Sequence, residues 1–144
     1  MSLLKIAQVP GATVEPGANV LEAVQVMAEE GVGAVAVAEH GELCGIFTER
    51  DVMLRVVLKE RKPRETKMVD VMTASAVTVP EETPAEDALK LMLDRHIRHL
   101  PVVSKAGRFA GMLSIRNLLE FMVEDLQREL QSLDHYLSND GPGG

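Results

Sequence analysis

Residues 45–51 read Gly45-Ile46-Phe47-Thr48-Glu49-Arg50-Asp51, and residues 111–117 read Gly111-Met112-Leu113-Ser114-Ile115-Arg116-Asn117. Both run glycine, two apolar residues, a hydroxyl residue, and an acid or amide three positions later. A slide of 65 residues lays Thr13-Val14 on Thr78-Val79, Ala23 on Ala88, Met27 on Met92 and Val37 on Val102. After one extra residue in the later copy, Gly41 falls on Gly107, Gly45 on Gly111 and Arg50 on Arg116. Such a period decides the architecture before any single element does. The chain is a duplication.

Each copy reads as strand, helix, strand, strand, helix. A short strand near Thr13-Val14-Glu15 or Ala76-Val77-Thr78-Val79 leads into a helix. Apolar residues at helical spacing mark that helix: Val20, Ala23, Val24, Met27 and Ala28 in the first copy, Ala85, Ala88, Leu89 and Met92 in the second. Thr83-Pro84-Ala85-Glu86 predicts a Thr cap with a first-turn Pro, and Asn19 with Glu22 a second cap. A hairpin follows, turning at Glu39-His40-Gly41-Glu42 in one copy and around Lys105-Ala106-Gly107 in the other. A unit of about sixty residues is marginal alone, so the copies are expected to pack on each other. The division predicted is 8–62, a charged Pro-containing linker over 63–69, 70–125, and an extension with a flexible tail over 126–144.

Composition narrows the function. The net charge is −7, aromatic residues are 3% and Trp is absent, which excludes a basic, aromatic-lined surface for nucleic-acid polymers. A single cysteine, Cys44, excludes an internal disulfide framework and fits a reducing compartment. No run has the length of a membrane span, and Met1 to Pro10 reads as too short and too polar for a signal peptide. A cytoplasmic protein is expected.

The tandem units, with His96-Ile97-Arg98-His99-Leu100-Pro101-Val102-Val103 in the second and Asp70-Val71-Met72-Thr73 opening it, resemble a cystathionine β-synthase (CBS) domain pair over roughly residues 8 to 125. The resemblance implies an α+β fold in which two β-α-β-β-α repeats pack sheet to sheet with pseudo-twofold symmetry. It implies a non-enzymatic regulatory module with two clefts for an adenosine-containing molecule: AMP (favoured), ADP, ATP, NAD(H) or S-adenosylmethionine. The site residues it implies are Thr48, Arg50 and Asp51 with Ser114, Arg116 and Asn117, joined by Gly33, Ala34, Arg98, His99 and Pro101. The partners implied are a second copy of the chain and a regulated protein of unknown identity.

The hydroxyl residues have a plainer reading, because Ser or Thr followed at the third position by a polar residue is also a helix cap. The two roles are compatible. A helix start offers N–H groups and a positive dipole end to phosphate, and a carboxylate accepts from a ribose diol. Since Asp51 is an ionised acceptor and Asn117 is not, the cleft of Thr48 and Asp51 is expected to hold ribose more tightly. Arg50 and Arg116 match across the repeat and, with Arg98, are candidate phosphate contacts. A basic run of Arg55, Lys59, Arg61, Lys62, Arg64 and Lys67 surrounds the linker. His96 and His99 lack further ligands at metal spacing, and Cys44 reads as a small core residue. No nucleophile elbow, Walker loop or zincin motif is present.

After Asn117 the stripe Leu119, Met122, Leu126, Leu130, Leu133 and Leu137 predicts an amphipathic helix that outruns its counterpart, with a homodimer interface as its expected use. Two functions are carried forward: a nucleotide-binding regulatory pair, and a structural or protein-interaction module with degenerate clefts.

Overall fold

The computed structural model describes residues 1–139, so Asp140 to Gly144 of the expected tail lie outside it. The first copy holds β1 (Thr13–Val14), α1 (Val20–Glu30), β2 (Ala34–Glu39), β3 (Glu42–Thr48) and α2 (Glu49–Asp51), which continues as a π-helix over Val52–Val57. The second holds α3 (Met68–Val71), β4 (Val79–Pro80), α4 (Ala85–Arg95), β5 (His99–Val103), β6 (Phe109–Ser114) and α5 (Ile115–Asn139). Each copy makes a three-stranded sheet in which the short first strand runs parallel to the second and the hairpin is antiparallel. Register respects the period: Val14 pairs with Val37 and Val79 with Val102.

Local chemistry sets the boundaries. The Asn19 side chain accepts from Glu22 N at 2.9 Å and opens α1. Gly31, at φ 65°, ends α1 in the left-handed conformation, and His96, at φ 54°, ends α4 at the equivalent place. Thr83 is not the cap of α4. Its N–H closes a turn onto Pro80 O at 3.1 Å, which holds it outside the helix; Pro84 takes the cap position without a side-chain bond. The first hairpin turns through His40 and Gly41, both at positive φ, the demand of a tight two-residue turn.

Strand alternation divides the core. Val35, Val37 and Phe47 face the helices with Val20, Ala23 and Met27, while Ala34, Ala36 and Ile46 face the second sheet and meet Met112. Small alanines on that face let the two sheets approach.

The opening segments are exchanged between the repeats. Leu3, fully buried, belongs to the core of the second repeat and its N–H donates to Glu81 O at 2.7 Å. Met68, fully buried and 65 positions later, belongs to the core of the first, with its N–H on Ala18 O at 2.8 Å. Two isolated bridges stitch the arms down, Gln8 to Met112 and Thr73 to Ile46. The stretch 63–69 therefore does more than link: it carries Met68, an apolar anchor among charges. Burying one such side chain contributes about 1.5–3 kcal/mol.

Candidate functional site

Between the repeats lies a cleft of about 1040 Å³. The first repeat supplies the end of α1 (Val24, Met27, Ala28, Gly31), then Val32, Gly33, Ala34, Glu49 and Val52. The second supplies Arg98 and His99 at the start of β5, Met112 and Ser114 on β6, and the first residues of α5. Gln8, on the exchanged N-terminal arm, completes the wall.

The polar end of the cleft is the start of α5. Asn117 N donates to Ser114 Oγ at 3.0 Å, and that hydroxyl donates to Asn117 Oδ1 at 2.6 Å. The Asn117 amide therefore presents its Nδ2 donors to any further partner. Ile115 N donates to Arg98 O at 2.8 Å, which ties the helix start to the strand carrying Arg98 and His99. A helix of 25 residues brings its positive end here. Arg116 is paired with Glu120 at 3.0 Å in an exposed setting, while Arg98 is an exposed cation at the rim. His99 is pushed below its ordinary value by burial; Glu49 opposes that shift and Arg98 adds to it. Gly33 makes the crowding possible, because a Cβ there would stand 2.8 Å from Glu49 Oε1 and 3.2 Å from His99 Cε1.

Seven predicted site residues share this cleft: Gly33, Ala34, Arg98, His99, Ser114, Arg116 and Asn117. Four lie elsewhere. Thr48 and Asp51 form a complete capping box: Asp51 N donates to Thr48 Oγ1 at 3.3 Å, and Thr48 N to Asp51 Oδ2 at 3.0 Å. The other Asp51 oxygen stands 3.5 Å from Arg55 Nε. Both carboxylate oxygens thus already have partners within the chain, and this end was the one expected to hold ribose more tightly. The open cleft lies at the other end, by Ser114 and Asn117. Arg50 is exposed on α2, away from the cleft, and Pro101 is buried in β5 opposite Met112.

Sequence reasoning missed Gln8, Glu49 and the α1 face of Met27 and Ala28. Gln8 had a signal, since it stands 65 positions before Thr73, a residue of the motif opening the second unit. Its amide donates to Glu30 Oε2 at 3.1 Å while its Oε1 is buried without a partner. Glu49 occupies a variable place inside the signature, and only the fold brings it to His99. Among the described residues no cluster of His, Cys, Asp and Glu could hold a metal ion, and no helix is long and apolar enough to cross a membrane.

Comparison with known proteins agrees with this architecture. The CBS domain family model matches twice, over residues 6–58 and 68–124. The chain is 38% identical over 124 residues to the mitochondrial CBS domain-containing protein CBSX3 of Arabidopsis thaliana, covering 83% of this chain and 60% of that one. It is 35% identical over 107 residues to the CBS domain-containing protein YhcV of Bacillus subtilis, covering 74% of this chain and 75% of YhcV. A putative signal-transduction protein with CBS domains from Burkholderia ambifaria superposes with a TM-score of 0.79 at 32% identity, covering 87% of this chain and 96% of that one. A CBS domain protein of Pyrobaculum aerophilum, solved with AMP, shares the fold at 24% identity and a TM-score of 0.74, covering 81% of this chain and 89% of its own. The duplicated signature, the exchanged arms and both family matches lead to one conclusion: the chain belongs to the CBS domain family and carries the domain as a tandem pair.

Proposed function

We propose that this CBS pair is a regulatory module that binds an adenosine-containing nucleotide, AMP favoured, in the cleft between its repeats. One observation carries the reading: Arg98, His99 and the capped start of α5 converge on a cleft whose remaining wall is aliphatic apart from Gln8, Glu49 and Glu120. The helix start and Arg98 suit a phosphate. Val24, Met27, Val32, Val52 and Ile115 suit the faces of a base in a chain with few aromatic rings. The cationic charge is limited, because Glu120 neutralises Arg116 and Glu49 stands by His99, which favours one phosphate over three. The Pyrobaculum relative was solved with AMP, and the CBS pair of MJ0100 with 5′-methylthioadenosine and S-adenosylmethionine, which supports the same ligand class here.

A bound nucleotide would act by favouring one packing of the two repeats over another, and so alter a partner protein; only differential affinity for the two packings can do this. The module is read as non-catalytic, cytoplasmic and homodimeric through α5. A thermal-shift panel of AMP, ADP, ATP, NADH and S-adenosylmethionine with product analysis tests the reading. Stabilisation by about 2.7 kcal/mol at a hundredfold excess over Kd, without turnover, is expected. Turnover would make the chain an enzyme, and silence across the panel would leave the interaction-module reading, which the self-satisfied box at Asp51 favours.

A further inference from the structure

A nucleotide in the cleft brings ribose hydroxyls that need acceptors for their protons. Asn117, which holds the place of the signature acid there, is poorly suited to that task. Its Oδ1 already accepts from Ser114 Oγ at 2.6 Å, and the rest of its amide is N–H donors, which suit phosphate oxygens. Of the two carboxylates that line the cleft, Glu120 is paired with Arg116 at 3.0 Å. The Gln8 oxygen is neutral and buried. Glu49 remains.

Glu49 comes from the repeat opposite Asn117. It is the first residue of α2, and its N–H donates to Gly33 O at 3.0 Å, which fixes that helix start against the entry to β2. Val52, three positions on, shares its face and also lines the cleft, whereas Arg50 and Asp51 do not. The Glu49 carboxylate and the His99 imidazole approach one point from the two repeats, the place a Cβ on Gly33 would take. His99 in turn stands opposite Ser114 in the register of β5 and β6. Carboxylate, imidazole and the Ser114 cap thus form one row across the cleft. The Glu49 side chain is exposed, and among the described residues none gives it a hydrogen bond or an ion pair.

We infer that Glu49 accepts from the ribose hydroxyls of a nucleotide in this cleft, a task the signature gives to the acid of the other repeat. This role rests on the nucleotide reading above and adds a sugar specificity to it. With phosphate at Asn117 and Arg98 and the base against Val24, Met27 and Val52, the ribose lies between them, next to the carboxylate one turn before Val52. One carboxylate can accept from both hydroxyls of a diol. A site built on such a bond rejects an analogue that lacks the hydroxyl.

Calorimetric titration of AMP and 2′-deoxy-AMP into wild type, Glu49→Ala, Glu49→Gln and Asn117→Ala tests this. The wild type should bind AMP about tenfold or more tightly than 2′-deoxy-AMP. Glu49→Ala should weaken AMP about tenfold and leave 2′-deoxy-AMP within about threefold, which brings the ratio near one. Glu49→Gln keeps one acceptor oxygen and should fall between. Asn117→Ala should weaken both nucleotides alike and keep the ratio. Because Glu49 is exposed, its variants should unfold in urea as the wild type does, so a changed ratio does not report a changed fold. A wild-type ratio near one, a ratio that survives Glu49→Ala, a ratio lost in Asn117→Ala, or AMP bound more tightly without the carboxylate overturns the role of Glu49 and leaves the nucleotide reading standing. A wild type that binds neither nucleotide overturns both.

Discussion

Gly45 and Gly111 explain why the signature begins with glycine. A Cβ on Gly45 would stand 2.7 Å from Thr73 O, and one on Gly111 would stand 2.9 Å from Gln8 O, in each case against the backbone of the exchanged arm. Gly45→Ala and Gly111→Ala should each cost about 1–3 kcal/mol in urea unfolding. Gly17→Ala, whose Cβ would meet nothing within 4 Å, should be nearly neutral by comparison. His99 makes a second residue-scale prediction. Its folded value is lowered from 6.5, so above that pH both folded and unfolded chains hold it neutral. As pH falls through 6.5 the unfolded chain takes up a proton first, and stability is lost until the folded value is reached. The stability of wild type relative to His99→Gln should therefore fall as the pH is lowered from about 7.5; a difference that is flat or grows would show that burial does not govern His99. The signature residues were legible because two copies repeat them. Gln8 and Glu49 were not, because only tertiary placement brings them to the cleft.

Among the elements, the arms carry information that periodicity conceals. Leu3 and Met68 anchor in the repeat they do not belong to by sequence, and no local pattern distinguishes a residue buried across from one buried at home. Leu3→Ala and Met68→Ala should each destabilise by about 2–5 kcal/mol. Hydrogen exchange should show the crossing: Leu3→Ala is expected to lose protection in β4 to β6 first, and Met68→Ala in β1 to β3. The reverse pattern would contradict the exchange. The strand order, hairpins and amphipathic helices were readable because they rest on periods of two and 3.6 residues. The caps were half readable: Asn19 acts as its type suggests, whereas Thr83 loses its place to the turn from Pro80. The stripe of α5 was readable as a stripe, but Met122 and Val123 are neighbours of like character, and only packing decides which one turns inward.

For the whole molecule, pseudo-symmetry sets up two equivalent ends and side-chain detail makes them unequal. At one end Asp51 is engaged by Thr48 and Arg55; at the other Asn117, bonded to Ser114, stands with Arg98 and His99 in the cleft. Charge alone favoured the first end, since an aspartate is the stronger acceptor. The three-residue α-helical start of α2, the adjoining π turn and the ion pair to Arg55 engage Asp51 within the chain, and none of them is visible in the signature; the proposed nucleotide is assigned to the Asn117 end for that reason. The most direct test is calorimetric titration of AMP into the wild type, Asn117→Ala and Asp51→Ala. The expected result is saturable binding to the wild type, weakened about tenfold or more by Asn117→Ala, with Asp51→Ala costing fold stability of about 1 kcal/mol but leaving affinity within about threefold. No binding to the wild type, or a loss confined to Asp51→Ala, would contradict the assignment of the nucleotide to this cleft.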